Sequence, residues 1–157
     1  MNSPLQARDK ILKPTMADSG ICEDLLKRVI EFHGHMGPFL ILGVKAGLYA
    51  NSLLGKDCFK MMAIVLTKPA PPTSCFVDGV QFVTGCTMGK RNIKLRKSKS
   101  TSVVFQKDGK KVKLSLRNDV LESINRITTE EQSKKESLKL VDRPVSELFK
   151  VENLTKS

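Results

Sequence analysis

Apolar residues recur every three to four positions near the start of the chain, at Ile21, Leu25, Val29 and Phe32. That period predicts a helix with one buried face. Ser19 stands where an N-cap belongs, and Glu23 and Asp24 suit the positive end of such a helix. Gly34 weakens the helix just after His33, and Gly37 followed by Pro38 breaks and restarts it. A second helix is predicted over residues 38–54, with Pro38 in its first turn and Gly55 at its C-cap. It is apolar almost all round (Phe39, Leu40, Ile41, Leu42, Val44, Leu48, Leu53, Leu54), the mark of a central, buried helix. Gly43 and Gly47 lie four apart on one of its faces and cost helix propensity. They predict that another backbone comes close there, from a sheet or from the same helix of a second copy of the chain.

After this helix the period changes. Residues 61–67 form a continuous apolar run of strand length. Pro69, Pro71 and Pro72 rule out regular structure in the segment that follows. Ser74 offers an N-cap for a short helix over residues 75–84, with Phe76, Val80 and Val83 inward and Gly85 ending it. Residues 92–97, 101–106 and 111–116 alternate as strands, and Asp108 with Gly109 signals a hairpin turn. From Asn118 the spacing of Val120, Leu121, Ile124 and Ile127 is helical again, residues 128–139 form a weaker helix, and residues 144–149 a short helix or turn. The expected architecture is α+β: helix, strand and helix, then three strands in a small mixed sheet packed on helices, with an N-terminal helix and a helical C-terminal tail. In domain terms, residues 1–18 read as a flexible tail, 19–117 as the α+β domain and 118–157 as a helical extension.

Composition narrows the function classes. The longest apolar stretch, residues 39–50, is interrupted by Lys45 and two glycines, so no membrane span is expected. The opening MNSPLQARDK lacks the apolar stretch of a signal peptide, which points to a cytoplasmic protein. Four cysteines in that setting read as thiols or metal ligands before disulfides. Net charge is +11, and residues 91–117 alone hold ten Lys or Arg against one acid, Asp108. Such a face could meet nucleic acid, an anionic ligand or an acidic partner. The low aromatic share, 5%, and the lack of an RNA-binding signature favour a solvated basic sheet over a nucleic-acid reader.

The chain has two histidines, His33 and His35, beside the break between the first two helices. Cys75 and Cys86 lie at the two ends of the short third helix. Thiolate with imidazole suits Zn²⁺ or another divalent transition metal, so these four are the candidate ligands of one composite site. The alternative is a pair of buried thiols and two histidines in ordinary hydrogen bonds. Cys75 falls near a helix start, where free N–H groups favour a thiolate. Gly34 leaves open whether both imidazoles face the same point. Cys22 and Cys58 read as ordinary thiols. Asp78, three residues after Cys75 and on its side of the helix, is placed to bind metal, to orient a histidine or to act as an acid–base group. The segment from Gly85 to Lys90 fails as a phosphate loop, since three residues separate its glycines and Arg91 stands where Ser or Thr is needed. A looser anion contact through Lys90 and Arg91, beside backbone N–H groups, remains.

Taken together, Phe32, His33, Gly34, His35, Pro38 and Gly43, then Cys75, Asp78, Val80, Gln81, Thr84, Gly85, Cys86, Thr87, Gly89, Lys90 and Asn92, resemble the FmdE family of formylmethanofuran dehydrogenase proteins. The resemblance implies a compact α+β domain that binds metal and is often dimeric. It also implies a role accessory to the molybdenum or tungsten enzyme that fixes CO₂ onto methanofuran in archaea, hence one-carbon metabolism and methanogenesis. The implied partners are a second copy of the chain and that dehydrogenase complex. Two departures stand out: Gly37 replaces a cysteine often found two residues after the second histidine, and no cysteine follows Cys86 to build the C-terminal zinc finger of many members. Two rival functions remain. One is a stand-alone zinc-dependent enzyme on a small substrate, and the other is a nucleic-acid-binding module using residues 91–117.

Overall fold

A computed structural model describes residues 20–156. The expected tail at 1–18 and the expected cap Ser19 lie outside the described residues. Helix α1, Glu23–His33, is capped instead by Cys22, whose Sγ accepts from the Leu25 N–H at 3.5 Å. A thiol is a weak acceptor, and nothing in the spacing of apolar residues separates position 22 from position 19. α1 ends at Gly34, which has φ +104° and donates to the Ile30 carbonyl, a left-handed stop that glycine adopts without strain.

Helix α2, Pro38–Leu54, starts at Pro38 as expected and has twelve buried residues, enough to make it the centre of the molecule. Strand β1, Met62–Thr67, follows. The proline-rich segment then leads into a 3₁₀ turn, Thr73–Cys75, and helix α3, Phe76–Thr84. The N-cap of α3 is Cys75, and Ser74 lies inside the 3₁₀ turn with no side-chain cap. Strands β2, Ile93–Lys97, β3, Ser102–Lys107, and β4, Lys110–Leu116, come next. The turn between β3 and β4 puts Asp108 and Gly109 at φ +50° and +79°, the pair of left-handed residues that matches the twist of a tight hairpin. Helices α4, Asn118–Asn125, α5, Glu130–Asp142, and α6, Val145–Leu148, complete the helical set.

The last element is a fifth strand, β5, Phe149–Asn153, where the sequence pattern predicts a purely helical tail. Five residues after a proline-started turn are a short signal. Even so, Phe149 and Val151 alternate with Lys150 and Glu152 as a half-buried strand should. β5 pairs antiparallel with β4 and closes the sheet order β2-β1-β3-β4-β5, in which β1 and β2 run parallel.

One face of the sheet carries the fully buried rows Ala63, Phe105, Val112 and Val65, Val103, Leu114, packed toward α2. Across α2, Gly43 and Gly47 meet α3. A Cβ added at Gly43 would stand 2.1 Å from the Phe76 carbonyl oxygen, and one at Gly79 of α3 would stand 2.4 Å from that of Leu40. The close backbone expected from these glycines is therefore α3 of the same chain, not the sheet or the same helix of a second copy. Lys45 is fully buried on α2, and its Nζ donates to the Val141 carbonyl at the end of α5, at 3.0 Å. Residues beyond 117 thus share the core of the domain before them: Leu140, Leu148 and Phe149 are fully buried in it.

Candidate metal centre

The helix break and the start of α3 meet. The left-handed Gly34 turns the chain so that His35 comes back beside His33, with ring centroids 4.6 Å apart and planes tilted by 42°. The two Nε2 atoms are 3.1 Å apart. Cys75 joins them, so one atom each from His33, His35 and Cys75 lies within 4.8 Å of the others. His33 and Cys75 are half-buried and His35 is exposed, so the group opens outward on one side.

Both imidazoles are oriented by their second nitrogen. His33 Nδ1 meets Asp78 Oδ2 at 2.5 Å, and since an ionised carboxylate can only accept, Nδ1 carries the proton and Nε2 presents a lone pair. His35 Nδ1 lies 3.4 Å from the Met36 carbonyl, which likewise leaves Nε2 as the outward acceptor. Two lone pairs aimed at each other from 3.1 Å repel unless a proton or a cation lies between them. Imidazole ligands at the usual zinc bond length stand about 3.3 Å apart in a tetrahedral site. The donor set, its spacing and the carboxylate behind His33 therefore fit a divalent transition metal.

A helix-start position predicts a ready thiolate at Cys75, and the surroundings act the other way. Burial, and then the Asp78 carboxylate, push its thiol above the ordinary value. A bound cation reverses that balance, because a coordinated thiol gives up its proton. Asp78 faces His33 across the gap, the contact that orienting a histidine requires.

Cys86 is not brought to this group. Nine helical residues separate it from Cys75, roughly 13 Å of helix. It is fully buried, its Sγ donates to the Met61 carbonyl at 3.4 Å, and its backbone N–H donates to Thr84 Oγ1. Burial, foremost, raises this thiol as well. Among the described residues, the histidine and cysteine donors that converge are His33, His35 and Cys75.

Lys90 and Arg91 lie in the turn after α3. The Lys90 ammonium donates to Thr87 Oγ1 at 2.9 Å and sits 5.9 Å above the Phe59 ring. The backbone N–H groups of Thr87, Met88, Lys90 and Arg91 are taken by Asn92, Gln81, Thr87 and Met88 in turn. With these four amides engaged, the turn offers an anion the two side chains and no cradle of several free amides. Gln81 is the residue that sequence reasoning leaves without a role. It lies three positions after Asp78 on the same helix face and donates to Asp78 Oδ1 at 3.4 Å, so its spacing is a usable signal.

Known proteins resemble this chain in sequence and in fold. A family model described as FmdE, molybdenum formylmethanofuran dehydrogenase operon, matches residues 32–154. A probable S-adenosyl-L-methionine-binding protein of Archaeoglobus fulgidus is 31% identical over 129 residues, covering 73% of this chain. The chain spans about a third of that relative, 35% of its length. Among solved structures, a tungsten formylmethanofuran dehydrogenase FmdE-like protein from Syntrophus aciditrophicus has the same fold, with a TM-score of 0.55 at 19% identity, over 86% of this chain and 72% of that one. The family match starts at Phe32, takes in both histidines, Cys75 and Asp78, and runs to within three residues of the chain end; this chain belongs to the FmdE family.

Proposed function

We propose that this chain is a metal-binding protein of the FmdE type, which holds one divalent transition metal, zinc by preference, through His33, His35 and Cys75. The observation that carries the reading is the convergence of three soft or borderline donors with a carboxylate fixing the tautomer of one of them. Bound there, the metal would supply Lewis acidity or fix a water, since three protein donors on an outward-facing site leave a position for a further group. The protein's own part is to hold both Nε2 atoms toward one point and to keep the thiol half-buried. The family match supports a role accessory to a formylmethanofuran dehydrogenase and its one-carbon chemistry. A zinc enzyme in its own right is the second reading, favoured by the open side of the group at His35.

Metal content per chain after zinc loading and desalting tests the centre. Wild type should retain one zinc, and His33→Ala, His35→Ala and Cys75→Ala should each lose it. Cys22→Ala and Cys86→Ala should keep it. Zinc at a hundredfold excess over Kd should stabilise the wild type by about 2.7 kcal/mol and leave Cys75→Ala unchanged. Full zinc retention by Cys75→Ala overturns the centre. Failure to bind purified formylmethanofuran dehydrogenase at micromolar concentration overturns the accessory role and leaves the centre standing.

A further inference from the structure

Gln81 makes two hydrogen bonds that reach in opposite directions. Its Oε1 accepts from the Met88 backbone N–H at 3.0 Å, and its Nε2 donates to Asp78 Oδ1 at 3.4 Å. The orientation of the amide follows from its partners, because only the oxygen can accept from an N–H and only the nitrogen can donate to a carboxylate. Asp78 is therefore held at both oxygens, Oδ2 by His33 and Oδ1 by Gln81. A continuous hydrogen-bonded path results, from His33 through Asp78 and Gln81 to the backbone of Met88. Its far end is exposed. Met88 is 67% accessible, and nearby Lys90 lies over Phe59, which is 80% accessible.

We infer that Gln81 is a positioning residue of the metal centre and couples the centre to the exposed turn at Met88. The inference rests on the metal reading above. A cation on His33 Nε2 makes Nδ1–H a stronger donor and draws carboxylate charge toward Oδ2. Oδ1 then accepts less well from Gln81, and the bond from Met88 readjusts.

Amide chemical shifts and hydrogen exchange at Met88 test this, with the Gly109 amide of the distant hairpin as control. Adding zinc to the wild type should shift the Met88 amide and leave Gly109 in place. In Gln81→Met, which keeps the length of the side chain and neither bond, zinc should bind about tenfold more weakly and no longer move Met88. Without any metal, Asp78→Ala should by itself shift the Met88 amide and speed its exchange. If the wild type takes up no zinc, the metal reading falls, and an unmoved Met88 in Asp78→Ala then sinks the path as well. If zinc binds but Gln81→Met keeps wild-type affinity and the Met88 shift, the coupling is wrong while the metal centre stands. If Gln81→Met fails to fold, the Asp78→Ala comparison decides.

Discussion

Cys75 and Cys86 flank one helix, and their surroundings separate two thiols that look alike in the sequence. Cys75 sits half-buried beside two imidazoles, while Cys86 is fully buried against the Met61 carbonyl. Cys86→Ala should therefore retain zinc and lose about 1 kcal/mol of stability from the small cavity it leaves. The pH dependence carries a sign. Burial raises the folded Cys86 thiol above the ordinary value of 9.0, so the unfolded chain releases that proton first as pH rises. The stability tied to the protonated thiol is complete below about pH 9 and declines as pH climbs through the folded value. Denaturant titrations of wild type and Cys86→Ala from pH 8 upward should show the gap between them narrowing. A gap that stays constant or widens would show that the thiol is not the group responsible.

The contact between α2 and α3 fixes the candidate metal centre, since α3 delivers both Cys75 and Asp78. It depends on glycine from both sides: Gly43 lies against the Phe76 carbonyl and Gly79 against the Leu40 carbonyl, both backbone atoms with no rotamer to give way. Gly43→Ala should cost about 3 kcal/mol through overpacking and should lower zinc affinity by shifting the start of α3. The loss should not depend on protein concentration, because the crowded partner is in the same chain. A melting temperature that rises with concentration would point back to a contact between copies. This contact also shows what the sequence can reveal. The spacing of Gly43 and Gly47 announces a close backbone but cannot say whose, because pairing between elements is decided by the whole fold. His33, His35, Cys75 and Asp78 are legible as rare, chemically loud residues near a helix break and a helix start. Cys86 has the same loudness and the same kind of helix-end position, and only the length of α3 removes it from the group. Strand β5 escapes notice because five residues behind a proline-started turn carry too short an alternation to outweigh the helical spacing before them. Helix α5 reads as weak because its buried side is small, Ser137 and Leu140, and its strength comes from packing on α2.

At the scale of the molecule, the residues after 117 decide whether the rest can stand. Leu140, Val145, Leu148 and Phe149 are each at most 1% exposed, and Phe149 packs edge-on against Phe76 at the start of α3 with ring centroids 6.2 Å apart. Removing them uncovers the edge of β4, which β5 pairs from Val112 to Leu116, and takes away the Val141 carbonyl that receives the buried Lys45 ammonium. Four large apolar side chains at about 1.5–3 kcal/mol each come to roughly 6–12 kcal/mol, the size of a domain's entire stability. A chain ending at Arg117 should therefore show no cooperative unfolding transition, by circular dichroism or by dispersion of amide shifts. The metal cannot make up the difference, since zinc at a hundredfold excess contributes about 2.7 kcal/mol against a larger deficit. Added zinc should leave the truncated chain unfolded, although His33, His35, Cys75 and Asp78 are all still present in it. A truncated chain that melts cooperatively and binds one zinc would show that the core and the site are complete before Asn118, and that β5 and its helices are an addition to the fold instead of part of it.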